Sequence, residues 1–144
     1  MVTNRRCLTM IAAVTIWSAL LAGAGAAAQT HAAVGGWGTA QPVPGLAALN
    51  TGHDAVVNQM SCPSAGNCGA GGFYTDNTVP RHQQAFAVNE ASGTWGPAIE
   101  VAAALNTGGD AAINSVSCTA AGYCGAGGFY TGSSGQQAFA VSKP

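Results

Sequence analysis

The chain has 144 residues, a formal net charge of −1 and only 6% charged residues. This length suits one small domain, and so few basic side chains argue against a nucleic-acid-binding protein, because a phosphate backbone would not be neutralised. The low charge does not indicate disorder, since large apolar residues recur along the chain at regular spacing.

The chain begins with the layout of a secretory signal peptide. Two arginines precede an uncharged stretch, residues 8–28, whose end carries an A-x-A cleavage motif. We expect removal of residues 1–28; a cut after Ala32 is the alternative, and an uncleaved membrane anchor is the rival interpretation. Residues 29–36 would then be a short linker. No second apolar run follows, so the mature chain is expected to be secreted and to stay off the membrane.

The remainder, residues 37–144, contains two copies of one unit. Copy one (37–94) includes "WGTAQPVPGLAALNTGHDAVVNQMSCPSAGNCGAGGFYT" and copy two (95–144) includes "WGPAIEVAAALNTGGDAAINSVSCTAAGYCGAGGFYT". Each copy then continues to a QQAFAV stretch. The length differences between the copies fall in Gly, Pro and Asn-rich segments, where loops tolerate insertions. The sequence therefore predicts a two-repeat domain.

Each copy is predicted to form four short strands, lettered A to D and separated by turn sequences. Strand A is 37–43 or 95–101, strand B is 55–61 or 111–117, strand C is 69–75 or 125–131, and strand D is 84–89 or 137–142. Strands B, C and D carry no charge and are small or apolar on both faces, as in strands covered on both sides. The pattern predicts an all-β fold of partial β-propeller-like blades, with a two-sheet β-sandwich as the alternative.

The order of strands within one blade, residues 55–101, follows from proline and from turn length; this blade joins strands B, C and D of copy one to strand A of copy two. Strand A contains proline in both copies, and proline is confined to edge strands because it donates no hydrogen bond. A tight turn joins strands D and A, which favours a hairpin. The predicted order is B-C-D-A. Copy two lacks an outer strand of its own, so residues 37–43 are expected to pair with its strand D, residues 137–142.

The motifs WGxA, LNTGG, SVSCxxxGxCxAGG and QAFAV resemble repeats of secreted, Ala/Gly-rich proteins of high-GC Gram-positive bacteria. The resemblance covers both copies. It implies a β-propeller-like fold and no particular activity.

Four cysteines remain once Cys7 leaves with the signal peptide. Their identical spacing around a turn predicts the disulfides Cys62–Cys68 and Cys118–Cys124, as suits an exported chain. A four-cysteine zinc site is the rival, but zinc ribbons place two to four residues between paired cysteines, and redox pairs place two. We therefore expect neither a metal nor a cofactor.

Aromatic side chains recur in both copies and are the candidate ligand-stacking residues. They are Trp37, Trp95, Phe73, Tyr74, Phe129 and Tyr130. Packing between sheets is one interpretation, because aromatic residues dominate small cores. Stacking of a sugar in a cleft between blades is the functional one.

No catalytic arrangement stands out. His53 and Asp54 are sequence neighbours and do not face each other as a base and its orienting group require. Glu90 and Glu100 flank the D–A hairpin without a predicted apolar pocket to raise a pKa. The stretch ASGTWG resembles the Asp-box hairpin of sialidase-type propellers, which would imply an arginine cluster around the substrate. Arg81 is the single arginine of the mature chain, which argues against this chemistry.

These features together predict a secreted, non-catalytic binding or surface-interaction module, with carbohydrate as the candidate ligand. Its partner would be a glycan or cell-surface ligand, and the uncharged strand faces predict a homo-oligomer. A small hydrolase using a carboxylate is the alternative, and a shortened repeat array without separate function is the third. An enzyme would bring two titratable groups into one pocket, whereas a binding module would show an aromatic floor.

Overall fold

The computed structural model describes residues 36–143. The predicted signal peptide and almost all of the 29–36 linker lie outside them. The contact pattern divides the chain after Gly38, and every element below lies in the unit that begins at Thr39. The elements are α1 (Leu46–Leu49), β1 (Ala55–Ser64), β2 (Asn67–Thr75), β3 (Gln83–Ala91), β4 (Thr94–Trp95), β5 (Ile99–Glu100), β6 (Ala112–Ala120), β7 (Tyr123–Gly132) and β8 (Gly135–Lys143).

The strands form two antiparallel sheets: sheet 1 takes its B, C and D strands from copy one and its outer strand from copy two, and sheet 2 takes its three strands from copy two. Sheet 1 has the order β1-β2-β3-β4, and β5 also pairs with β3. Sheet 2 has the order β6-β7-β8. The all-β prediction is confirmed, and so is the B-C-D-A order predicted for residues 55–101. Charge-free sequences bounded by Gly and Asn turns explain why each B, C and D segment forms a strand.

The prediction for strand A was partly wrong. In copy two it is interrupted at Pro97, which cannot donate to the ladder, and survives as β4 and β5. In copy one, residues 37–43 form no strand and do not pair with β8. Val43 instead packs against one face of sheet 1, while sheet 2 covers the other. Sheet 1 therefore lies between this segment and β8.

The face of sheet 1 away from sheet 2 has its own apolar cluster, named cluster 1. It consists of Ala70, Tyr74, Phe86 and Val88. These residues share a face because alternate residues of a strand point to opposite sides of the sheet. Val43, α1, Trp95 and Ala98 cover this cluster. The N-terminal segment thus covers the β2–β3 part of this face, while Val57 and Met60 of β1 stay exposed beside it.

A second apolar cluster, cluster 2, lies between the sheets. It consists of Ala85, Ala111, Ile113 and Val116. Glycine in β2 lets the sheets approach: a Cβ on Gly71 would lie 2.8 Å from the Ile113 side chain, and a Cβ on Gly69 would lie 2.9 Å from the sulfurs of Cys118 and Cys124. The glycine-rich strand is a platform on which β6 packs.

Polar contacts fix the register of the two sheets. The Asn58 side chain donates to the Ile113 carbonyl at 2.8 Å. The Cys118 backbone N–H donates to the Ser61 hydroxyl at 3.0 Å. Both contacts join β1 to β6, so the first strands of the two copies lie side by side.

The repeated NTG sequence holds the loop before each B strand. The Asn50 side chain accepts hydrogen bonds from the backbone N–H groups of Asp54 at 2.9 Å and Thr75 at 3.3 Å. In copy two, Asn106 accepts from the Thr131 N–H at 3.1 Å. The motif is thus explained by loop geometry, since buried backbone groups need partners.

Candidate functional site

The cysteine prediction is confirmed. Cys62 is bonded to Cys68, with a Cα–Cα distance of 4.1 Å, and Cys118 to Cys124, with a Cα–Cα distance of 4.0 Å. Each bond joins two strands at the turn between them. The sulfurs are consumed in these bonds, so none is a free thiolate for zinc or for redox exchange. Disulfides of this kind fit an extracellular protein.

The six predicted stacking residues are not gathered at one place. Tyr74 is buried in cluster 1, and Tyr130 packs against cluster 2. Phe73 and Phe129 are half-buried at matching positions of β2 and β7. Trp37 is fully exposed. Trp95 is half-buried: it packs against cluster 1 and also lines a cleft.

That cleft, named cleft 1, has a volume of about 570 Å³, a size typical of ligand sites. Its apolar wall includes Trp95, Val57, Met60 and Val88. Its polar wall includes Thr39, Gln41, Glu90 and Thr94. The cleft therefore combines one aromatic surface with hydroxyl, amide and carboxylate groups.

A second cleft, cleft 2, has a volume of about 540 Å³ and lies between the two sheets. Several residues that line cleft 2 are the copy-two equivalents of residues that line cleft 1. The matching pairs are Gln41 with Ile99, Met60 with Val116, Ala70 with Ala126, and Glu90 with Lys143. Cleft 2 is the more apolar of the two, and no aromatic residue is among its lining residues.

The carboxylates Glu90 and Glu100 do not share a cleft. Glu90 lines cleft 1, whereas Glu100 lies in β5 opposite Phe86. Burial, together with the neighbouring Glu100 carboxylate, raises the pKa of Tyr74 well above its ordinary range. This phenol is therefore a neutral core group at physiological pH.

Asp76 organises the loop between β2 and β3. One carboxylate oxygen accepts from the Thr78 hydroxyl at 2.6 Å and from the His82 N–H at 3.1 Å. The other accepts from the Gln84 side chain at 2.8 Å. Burial would raise the pKa of Asp76, but these hydrogen bonds outweigh it and lower the pKa to about 2. Copy two has a shorter loop without this residue.

One contact escaped the sequence reasoning. Asp110, in the turn before β6, accepts from the Gln83 backbone N–H at 2.8 Å, and its carboxylate lies 3.7 Å from His82 Nδ1. The sequence does contain a pattern that indicates a structural role for this aspartate, because both copies have an aspartate at the end of the NTG turn. His53, the histidine beside that aspartate in copy one, is exposed in the turn.

Residues 36–143 contain no group of three or more His, Cys, Asp or Glu side chains placed to hold a metal ion. Among these same residues, no helix has the length and apolarity needed to cross a membrane.

Comparison with protein-family models, with curated proteins and with solved structures gave no match to this chain.

Proposed function

We propose that the chain is a secreted, non-catalytic binding module that holds a sugar in cleft 1 against Trp95. The observation that carries the proposal is the pairing, in one cleft of about 570 Å³, of a tryptophan with hydroxyl, amide and carboxylate side chains. A sugar ring presents an apolar face and a rim of hydroxyl groups, so it needs both kinds of surface.

The polar residues of cleft 1 come from different segments that converge on Trp95. Thr39 and Gln41 belong to the segment preceding α1, whereas Glu90 lies near the end of β3 and Thr94 begins β4. Glu90 and Trp95 lie opposite each other in the β3–β4 pair. A ligand on the tryptophan would therefore have hydrogen-bonding groups from several segments within the same cleft.

The same lining supports a binding role rather than hydrolysis. Glu90 is the one carboxylate among the lining residues of cleft 1, and Lys143 is the one charged lining residue of cleft 2. A glycosidase needs two carboxyl groups on either side of the scissile bond. A single carboxylate such as Glu90 can still accept hydrogen bonds from sugar hydroxyls.

We also propose that the two sheets are successive blades of a propeller-like arrangement. The order B-C-D-A in sheet 1 and the packing of β6 over the β1–β2 side of sheet 1 support this interpretation. Secretion is part of the same proposal. It is supported by the two disulfides and by the predicted leader at residues 1–28.

A glycan array probed with residues 29–144 tests the proposal, followed by calorimetry on any sugar that binds. We expect Trp95→Ala to weaken binding at least about tenfold and Glu90→Gln to weaken it less, since loss of one aromatic contact is worth on the order of 1–2 kcal/mol. Because Trp95 also packs against cluster 1, Trp95→Phe serves as the variant that keeps most of the packing.

Matched substitutions give the controls. Lys143→Gln changes the residue of cleft 2 that corresponds to Glu90, and Trp37→Ala removes the exposed tryptophan of copy one. Neither should alter affinity. Absence of binding to any glycan, or equal affinity of the Trp95 variants and the starting protein, would overturn the proposal.

A further inference from the structure

Among residues 36–143, two surfaces at opposite ends of the stacked sheets stay exposed. The head surface is the β1 side of sheet 1, with Val57 40% and Met60 49% exposed. The tail surface is the face of sheet 2 turned away from sheet 1, where a Cβ on Gly125 would meet no atom within 4 Å. Each surface has a copy elsewhere in the chain that is buried.

The buried copies face each other in the contact between the sheets. Ile113 and Val116, which match Val57 and Met60, are 0% and 7% exposed. Gly69 and Gly71, which match Gly125 and Gly127, are the platform beneath them. The chain therefore contains one complete example of a head-like surface seated on a tail-like surface.

We propose that a second copy of this chain seats its head surface on the tail surface of the first, repeating the contact between sheets 1 and 2. Val57 of the second copy would lie over Gly127, and its Cys62–Cys68 disulfide over Gly125. The arrangement is head to tail, so it forms a ring if the rotation closes and a filament otherwise.

The polar contacts of the internal interface also have duplicates on the free surfaces. Asn58 and Ser61 bind β6 from sheet 1, and their counterparts Asn114 and Ser117 are exposed on sheet 2. Ala111 donates its N–H to the Gln83 carbonyl at 2.8 Å. The matching donor is the Ala55 N–H on the head surface, and the matching acceptor is the carbonyl of exposed Gln136 on the tail surface.

The charged contact repeats as well. Asp110 accepts the Gln83 N–H, and its counterpart Asp54 is exposed near the head surface. Asp54 of the second copy would accept the Gln136 N–H of the first. A surface that matches in both shape and hydrogen-bond register favours this chain itself as the partner over an unrelated apolar ligand.

Docking leaves cleft 1 open. The internal contact between the sheets leaves cleft 2, the copy-two equivalent of cleft 1, with a volume of about 540 Å³. The same contact made by a second copy would therefore border cleft 1 without filling it. The inference therefore does not depend on the sugar proposal, and the two have separate measurements.

Light scattering and sedimentation of residues 29–144 test the inference through two blocking variants. Val57→Asp places a charge on the head, and Gly125→Leu fills the tail platform where the fold itself has room. Val79→Asp is the control, since Val79 is 98% exposed in a loop segment that copy two lacks. A thermal melt of each variant confirms that it is folded.

We expect the mass of the starting protein and of Val79→Asp to rise with concentration, and each blocking variant to raise the association Kd at least about tenfold. The decisive result is a mixture. Val57→Asp retains a tail and Gly125→Leu retains a head, so equal amounts should form a complex of two chains. A single-chain mass for the starting protein up to about 1 mM, undiminished association of either variant, or no complex in the mixture would each overturn the inference.

Discussion

β1 and β6 occupy the same place in the two copies and have similar sequences, yet their surroundings differ. Val57 in β1 is 40% exposed, whereas Ile113 at the matching position of β6 is fully buried. Ile113 packs onto the glycine platform of sheet 1, whereas Val57 borders cleft 1, whose opposite lining includes the N-terminal segment. The energetic importance of a repeated residue is therefore set by its neighbours and not by its place in the repeat.

The largest difference between the copies should be seen at this pair. Ile113→Ala removes a buried side chain from cluster 2 and should lower the free energy of unfolding by about 3 kcal/mol, because a cavity remains. Val57→Ala should cost less than about 1 kcal/mol in dilute solution. Urea denaturation of both variants measures the difference. Equal losses would show that β1 and β6 are equally buried in solution.

The glycine platform gives the next largest difference. Gly69→Ala places a methyl group 2.9 Å from the sulfurs of Cys118 and Cys124, and such overpacking should cost about 1–3 kcal/mol. Gly125→Ala meets open space and should be neutral or slightly stabilising, because alanine reduces the entropy of the unfolded chain. Thermal melts compare the two. The expectation fails if Gly125→Ala destabilises as much as Gly69→Ala.

The β2–β3 loop has no equivalent in copy two and should introduce a pH dependence. The pKa of Asp76 is lowered from 3.8 to about 2, so its carboxylate stabilises the fold above about pH 4. This stabilisation should disappear as the pH falls through about 2. Asp76→Asn should cost about 1–2 kcal/mol at neutral pH, because hydrogen bonds to a charged group are worth about 1.5–3 kcal/mol and the asparagine amide oxygen keeps part of them.

Unfolding measured from pH 7 to pH 2 checks this expectation. The difference between the starting protein and Asp76→Asn should shrink between pH 4 and pH 2. Asp54→Asn, which alters an exposed aspartate, is the control. A constant difference across the range would contradict the assignment.

The smallest expected difference concerns one hydrogen bond. Asn58→Ala removes the contact to the Ile113 carbonyl and should cost about 1 kcal/mol. Asn114→Ala, at the matching exposed position, should cost almost nothing in dilute solution. At concentrations where copies associate, Asn114→Ala should instead weaken association. Chemical denaturation and light scattering on the same samples separate the two effects.

Much of the fold was predictable because its signals are local. Turn sequences and charge-free runs identified strands B, C and D in both copies, and cysteine spacing identified both disulfides. Strand A was the failure in copy one, since WGTAQPV carries the same edge-strand features as its counterpart in copy two. Only the presence of β3 beside the copy-two segment turns part of it into strand.

The candidate site was less predictable. Trp95 was one of six aromatic residues that the sequence did not distinguish as candidate ligand contacts. Nothing in the sequence linked Trp95 to Gln41 or Thr39, which lie more than fifty residues earlier. The loop built on Asp76 was also missed as a structural unit. Its hydrogen bonds depend on how the loop closes rather than on a recognisable motif.

The sequence alone determined the two-copy organisation, the all-β class, the order of strands B, C, D and A, and the pairing of the cysteines. Each of these follows from residues close together in the chain, through turn chemistry, proline and spacing. The tertiary structure alone decided which copy of each repeated surface is buried, where Trp95 meets polar groups, and which face residues 39–49 cover. Two equivalent sequences carry equal local preferences, and only contacts between distant segments can make them unequal.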